Sequence, residues 1–163
     1  MDKDPPSASP YRPTPERQEL ETRGPSARRG PVLLVEDNGT DVLVIRQVLQ
    51  QCGLAGDLRV ASDGQDALRY LQDLESTSAA GPELILLDLN VPRIPGIDVL
   101  RRLRAGRWRS TPVIIVTSSH SPEDRMAAEK LGAEAYFQKP NDLEAYLQLA
   151  EVIKRIVRGR RKP

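Results

Sequence analysis

Leu84-Ile85-Leu86-Leu87-Asp88 is a run of four large aliphatic residues closed by an acid. A short apolar run without polar alternation reads as a strand covered on both faces. The same form recurs upstream as Val32-Leu33-Leu34-Val35, closed by Glu36-Asp37, and downstream as Val113–Val116, closed by Thr117-Ser118. Leu58–Ala61, followed by Ser62-Asp63, and Ala135–Phe137, followed shortly by Lys139, are weaker versions. Helical patterns lie between the runs. Val42, Ile45, Val48 and Leu49 share a face, as do Ala67, Leu68, Leu71 and Leu74, then Ile97, Leu100 and Leu103, then Ala127, Ala128 and Leu131. Leu143, Tyr146, Leu147, Ala150, Ile153 and Val157 form the last and longest stripe. Strands alternating with helices in this way predict an α/β fold, a doubly wound five-stranded parallel sheet in the order 2-1-3-4-5 with helices on both faces.

The surrounding chain fits that reading. It has 163 residues, with 24 Lys+Arg, 23 Asp+Glu, one His and one Cys. One cysteine cannot form an internal disulfide, and one His with one Cys cannot build a zinc site. No apolar run approaches the roughly 18 residues of a membrane span, and the N-terminus lacks the apolar core of a secretion signal. A cytoplasmic protein with no membrane partner is expected. The net charge of +1 hides a split: residues 31–153 hold twelve basic and eighteen acidic groups, net −6, while the last ten residues hold six basic and none acidic. Residues 1–30 contain Pro5, Pro6, Pro10, Pro13, Pro15 and Pro25 and little aliphatic bulk beyond Leu20. Such a stretch has too little to bury and is expected to be a disordered Pro/Arg-rich extension. Pro10-Tyr11-Arg12-Pro13 has the spacing of a polyproline-recognition motif, a spacing that arises readily by chance in such composition. The expected organisation is an extension over 1–30, one domain over 31–157 and a basic tail over 158–163.

In a doubly wound sheet, binding groups gather beyond the carboxyl ends of the strands. Strands one and three are neighbours in the expected order, so Glu36, Asp37 and Asp88 would meet in one pocket. Carboxylates at such range repel, and a hard divalent cation such as Mg²⁺ removes the conflict. Taken singly, each acid reads as a cap on the following helix; three converging acids point instead to a cation site. Lys139 could lie beside them and hold a phosphoryl oxygen as a point charge, or be a solvated surface lysine. The β-branched Thr117 suits a strand for its own sake, but its hydroxyl would also face the pocket.

Glu36-Asp37, the stretch Leu86-Leu87-Asp88-Leu89-Asn90-Val91-Pro92, Thr117-Ser118 and Lys139-Pro140, in this order and spacing, resemble the signature of the response regulator receiver domain of two-component signalling. The resemblance covers residues 31–157 and implies a flavodoxin-like fold. It implies Asp88 as phosphoacceptor, Asp37 and Asp88 as Mg²⁺ ligands with Glu36 acting directly or through water, and the Asn90 backbone carbonyl as a further ligand. Thr117 and Lys139 would bind the phosphoryl oxygens, and Tyr136 would be the switch aromatic that moves with Thr117. The partner implied is a sensor histidine kinase. The protein would be a phosphoacceptor rather than an enzyme, promoting only its own phosphoryl transfer and dephosphorylation. The Val-Glu-Asp-Asn opening, the connection Glu75–Pro82 and the Thr-Ser-Ser of 117–119 further resemble stand-alone receivers paired with phytochrome-type kinases. Receivers of this kind hold the peptide before the proline after the lysine in cis, so the resemblance implies a cis Lys139–Pro140 bond. Pro95 departs from the pattern, standing before Gly96 where receivers often carry Asp.

Other readings compete. A haloacid dehalogenase type phosphohydrolase also uses an aspartyl nucleophile at a strand end, but needs a second Asp two residues on, where this chain has Asn90. A flavodoxin-like nucleotide binder needs backbone donors and hydroxyls after the first strand, not Glu36-Asp37. A nucleic-acid-binding regulator would use Lys154, Arg155, Arg158, Arg160, Arg161 and Lys162. A solvated helix end whose cations complement the dipole accounts for these residues more simply, so nucleic acid is not the expected partner. His120 reads as a solvated loop histidine. On the last helix, Tyr146, Ile153, Ile156 and Val157 exceed what one narrow stripe needs, and exposed apolar groups of that kind suggest a homodimer through this helix.

Overall fold

The computed structural model describes residues 29–160. The extension expected over 1–30, with its Pro10–Pro13 motif, lies outside the described residues except for Arg29 and Gly30, and the basic tail except for Arg158, Gly159 and Arg160. Five strands run β1 (Val32–Val35), β2 (Leu58–Ala61), β3 (Leu84–Leu87), β4 (Val113–Thr117) and β5 (Ala135–Gln138). Five helices alternate with them: α1 (Gly39–Gln51), α2 (Gly64–Ser76), α3 (Gly96–Ala105), α4 (Pro122–Lys130) and α5 (Leu143–Gly159), with a single 3₁₀ turn at Ala55–Asp57. All strand pairs are parallel and the order is β2-β1-β3-β4-β5, as the sequence predicts.

The unbroken aliphatic runs follow from a sheet covered on both faces. Val32, Leu34, Leu84, Leu86, Ile114 and Val116 point to one side, where Ile45, Val48 and Leu49 of α1 and Leu149, Ala150 and Ile153 of α5 cover them. Leu33, Val35, Ile85, Leu87, Val113 and Ile115 point to the other, against Ala67 and Leu71 of α2, Val99, Leu100 and Leu103 of α3 and Ala128 of α4. With period two, one face alone would leave every second residue in water. Each such side chain stabilises the fold by about 1.5–3 kcal/mol. The edge strands β2 and β5 are only partly covered, which is why their sequence signal is weak.

Four helices start on a side-chain cap. Asn38 accepts from the Thr40 and Asp41 amides, Asp63 from Asp66, Ser121 from Asp124 and Asp142 from Ala145. α3 starts at Pro95 with no side-chain cap. Its first residue must be glycine for another reason: a Cβ on Gly96 would stand 2.2 Å from the Asp88 carbonyl oxygen. That close approach folds the loop 88–96 tightly back beneath the end of β3.

Two expectations need correction. Of the residues offered as surplus on the last helix, Tyr146, Ile153 and Val157 are buried and Ile156 is partly buried; Leu143 and Leu147 are exposed instead, at 64% and 46%. The buried stripe is Tyr146, Leu149, Ala150, Ile153 and Val157, and Leu147 stands about 100° round the helix from Tyr146. The Lys139–Pro140 bond is trans, since no cis peptide occurs among the described residues. The lysine side chain still turns inward and is only 8% exposed.

Candidate functional site

The sheet brings Glu36, Asp37, Asp88 and Lys139 together. Val35 and Leu87 are paired across β1 and β3, so the acids that follow them emerge side by side. The Asp88 amide donates to the Val35 carbonyl at 3.0 Å and the Glu36 amide to the Ala61 carbonyl at 2.9 Å, which fixes both backbones at the carboxyl end of the sheet. Glu36 and Asp88 are only 2% and 4% exposed, whereas Asp37 opens to solvent. One carboxylate oxygen from each of the three lies within 4.8 Å of the others.

Lys139 supplies the counter-charge. Its Nζ lies 2.5 Å from Glu36 Oε2, 2.8 Å from Asp88 Oδ2 and 2.9 Å from Asp41 Oδ2. An ammonium has three N–H donors, and all three are used. Burial works against the charged lysine, but the hydrogen bonds to Asp88, Glu36 and Asp41 outweigh it, so its pKa rises above the ordinary lysine range. Burial pushes the Glu36 carboxyl up, and the Lys139 and Asn38 hydrogen bonds oppose that push only in part. The other oxygen of Glu36 accepts from the Asn38 amide at 2.9 Å, and Asp88 Oδ1 accepts from the Asn90 amide at 3.0 Å. Asp88 is therefore held by both oxygens, one on backbone and one on the ammonium.

Asp41 was not singled out in the sequence. It sits in the first turn of α1, and its second oxygen accepts from the Tyr146 hydroxyl of α5 at 3.2 Å. Burial, and next the Asp41 charge, push the Tyr146 phenol up to about 12. Phe137 of β5 stacks on Tyr146 in tilted geometry, with ring centroids 6.1 Å apart. The one available signal was the Asn38 cap, which places residue 41 in the first turn, beside the strand ends.

Thr117 and Tyr136 both engage Ser119. Thr117 is fully buried, and its hydroxyl oxygen accepts from the Ser119 amide at 3.3 Å. The Tyr136 hydroxyl donates to the Ser119 carbonyl at 3.3 Å, and the Arg125 guanidinium lies 4.7 Å over its ring. Ser119 Oγ in turn donates to Asp124 of α4 at 2.5 Å. Asn90 is exposed and contributes its amide to Asp88. His120 is exposed and contacts Gln138.

The donor set suits a divalent cation. Three hard anionic oxygens at this spacing, with one side open to water, fit a cation that retains part of its hydration shell. They leave nothing for a soft metal, which would need thiolate or imidazole.

Residues 32–151 match the response regulator receiver domain, and the chain belongs to that family. FilR2 of Methanothrix harundinacea, described as a probable methanogenesis regulatory protein, is 34% identical over 124 residues, covering 76% of this chain and 80% of its own. Response regulator Rcp1 of Synechocystis sp. is 32% identical over 124 residues, covering 75% and 84%. The Mn²⁺-bound structure of Rcp1 aligns with a TM-score of 0.68 at 31% identity, over 77% of this chain and 91% of that one. The phosphorylated cyanobacterial phytochrome response regulator RcpA aligns with a TM-score of 0.72 at 27% identity, over 82% and 97%. The protein is thus a receiver-type response regulator of two-component signalling, a class that works with sensor histidine kinases and carries a divalent metal at its acidic site. No described helix is long and apolar enough to cross a membrane.

Proposed function

We propose that Asp88 accepts a phosphoryl group from a phosphohistidine of a partner kinase, in a Mg²⁺-dependent reaction, and passes the signal on through a change of surface. The observation that carries this is the placement of Asp88. Its carboxylate is nearly buried at the end of a central strand, steadied by the Asn90 amide and the Lys139 ammonium, beside two further acids. An isolated buried acid with no such neighbours would be a structural group only.

In the transfer, an Asp88 carboxylate oxygen forms a bond to phosphorus as the P–N bond to the donor imidazole breaks. The carboxylate is already oriented, so the chain's contribution is positioning and charge. Glu36, Asp37 and Asp88, with the Asn90 carbonyl, would hold Mg²⁺, which when bound neutralises charge on the phosphoryl oxygens. Lys139 has no spare donor. It must exchange one carboxylate for a phosphoryl oxygen, and Asp88 is the partner whose charge the acyl phosphate removes. Thr117 would then turn from the Ser119 amide toward the phosphoryl group, and Tyr136 would follow into the space behind it. Because both hold Ser119, the loop after β4 is the element that this switch shifts.

The likeness to RcpA, a cyanobacterial phytochrome response regulator, supports a phytochrome-type kinase as donor; the compartment we propose is the cytoplasm. A homodimer through α5 would rest on Leu143 and Leu147, the apolar residues that this helix leaves exposed. The test is intact-mass analysis after incubation with acetyl phosphate and Mg²⁺. One added phosphoryl group, absent in Asp88→Asn and without Mg²⁺, is expected. Equal labelling of Asp88→Asn would overturn the assignment.

A further inference from the structure

We infer that Asp41 is a positioning residue for Lys139, and that Tyr146, acting through Asp41, ties α5 to the phosphoryl site. The inference rests on the phosphoacceptor reading above and adds two residues to it. Three carboxylates share one ammonium, but they are not equivalent. Glu36 and Asp88 are almost fully buried and belong to the acid trio; Asp41 stands apart from that trio at the rim, its side chain 25% exposed. With Glu36 and Asp88 alone, Nζ would settle between them as their counter-ion, occupying the lone pairs that a cation needs. Asp41 draws it toward the rim, to the side from which a phosphoryl group must arrive.

Asp41 can do this only if it is itself held. Its own helix does not fix the carboxylate, since the Asn38 cap engages the Asp41 amide and not its side chain. The hydroxyl of Tyr146 does, at 3.2 Å, from a helix that meets α1 only through the tertiary fold. Tyr146 is buried, and Asp41 is the partner that the structure gives its hydroxyl. Its ring is packed beside Phe137 on β5, two residues before Lys139 on the same stretch of chain. A displacement of Lys139 toward a phosphoryl oxygen therefore loads the Asp41–Tyr146 contact, and a displacement of α5 loads Lys139. Substrate chemistry and the α5 surface are coupled by two hydrogen bonds in series.

The chain Tyr146–Asp41–Lys139 makes a demand that general electrostatics does not. Tyr146→Phe keeps every charge and the ring packing, so a purely electrostatic or structural role predicts no effect on rate. With saturating Mg²⁺ and acetyl phosphate, labelling of Asp88 should slow about tenfold in Asp41→Asn and about threefold in Tyr146→Phe. The double variant should match Asp41→Asn alone, because Tyr146 acts only through Asp41. Thermal midpoints of Tyr146→Phe and the parent should agree closely. Parent-like labelling in both single variants, or additive losses in the double, would overturn the inference. Loss of labelling specificity at Asp88 would instead sink the acceptor reading. A readout free of phosphorylation then decides this proposal: a slowly exchanging Lys139 ammonium signal in ¹H–¹⁵N spectra of the parent, broadened in Asp41→Asn. An identical signal in both proteins would overturn it.

Discussion

Lys139 Nζ lies 2.8 Å from Asp88 Oδ2, joining residues 51 positions apart. Lys139 follows β5 and Asp88 follows β3, with β4 between them, so the lysine stem, the hydrogen bond and the Asp88 side chain together cross about 10 Å of sheet. Only a long side chain makes that crossing, and an ammonium at its end can serve Glu36 and Asp41 at the same time. The parallel order 2-1-3-4-5 is therefore what converts four scattered polar residues into one site.

Cation binding should stabilise the protein. Three carboxylates within 4.8 Å repel one another in the absence of a cation, and a ligand that binds the folded state alone raises its stability. Mg²⁺ at about a hundred times its dissociation constant is expected to add about 2.7 kcal/mol, read as a higher melting temperature. Asp37→Asn should shrink the increment. A melting temperature indifferent to Mg²⁺ in the parent would count against the cation site.

Gly96→Ala should damage the site and the fold together. The new Cβ would meet the Asp88 carbonyl oxygen at 2.2 Å, so either α3 or the loop after β3 must move. A loss of about 2–4 kcal/mol in denaturant unfolding is expected, with weaker Mg²⁺ binding by titration calorimetry. Full stability in this variant would show that the loop is looser than its geometry implies.

Arg104 is a structural clasp that the sequence conceals among Arg101, Arg102, Arg107 and Arg109. Its guanidinium donates to the carbonyls of Leu131, Gly132, Arg109 and Thr111, at 2.8–3.0 Å. It thereby ties the loops before β4 and β5 to α3. Arg104→Met should cost about 2–3 kcal/mol of unfolding free energy, whereas the exposed Arg102→Met should cost less than about 0.5. Equal effects of the two changes would refute the clasp.

Much of this site was legible beforehand because strand ends in a doubly wound sheet are known places. Once Leu84–Leu87 and Val32–Val35 are read as central strands, Asp88, Glu36 and Asp37 must converge, and Lys139 follows from the end of β5. Asp41 and Tyr146 could not be read this way. Their contact depends on how α1 and α5 sit against each other, 105 positions apart in sequence, and no periodicity encodes that. The exposure of Leu143 and Leu147 has a related cause. A stripe drawn on the helix alone does not say which of its margins the sheet covers, and Leu149 proved to be inside where Leu147 is outside. The trans Lys139–Pro140 bond was likewise invisible, since an X–Pro sequence permits both isomers.

The Tyr146 contact also has a pH signature. The phenol's pKa is raised from 10.0 to about 12 in the folded state, so folding favours its neutral form. That contribution is complete below about pH 10 and is lost as pH rises through about 12. The parent should therefore lose stability relative to Tyr146→Phe across this window, in paired denaturant titrations. A constant difference between the two proteins from pH 9 to about pH 12 would contradict the assignment.

If Asp88 is the acceptor, its acyl phosphate can be trapped chemically. The protein is incubated with acetyl phosphate and Mg²⁺, reduced with borohydride and mapped by peptide mass spectrometry. One reduced position is expected, Asp88, and it should disappear when Mg²⁺ is withheld. Reduction at Glu36, Asp37 or Asp41 in place of Asp88, or no reduced position at all, would contradict it.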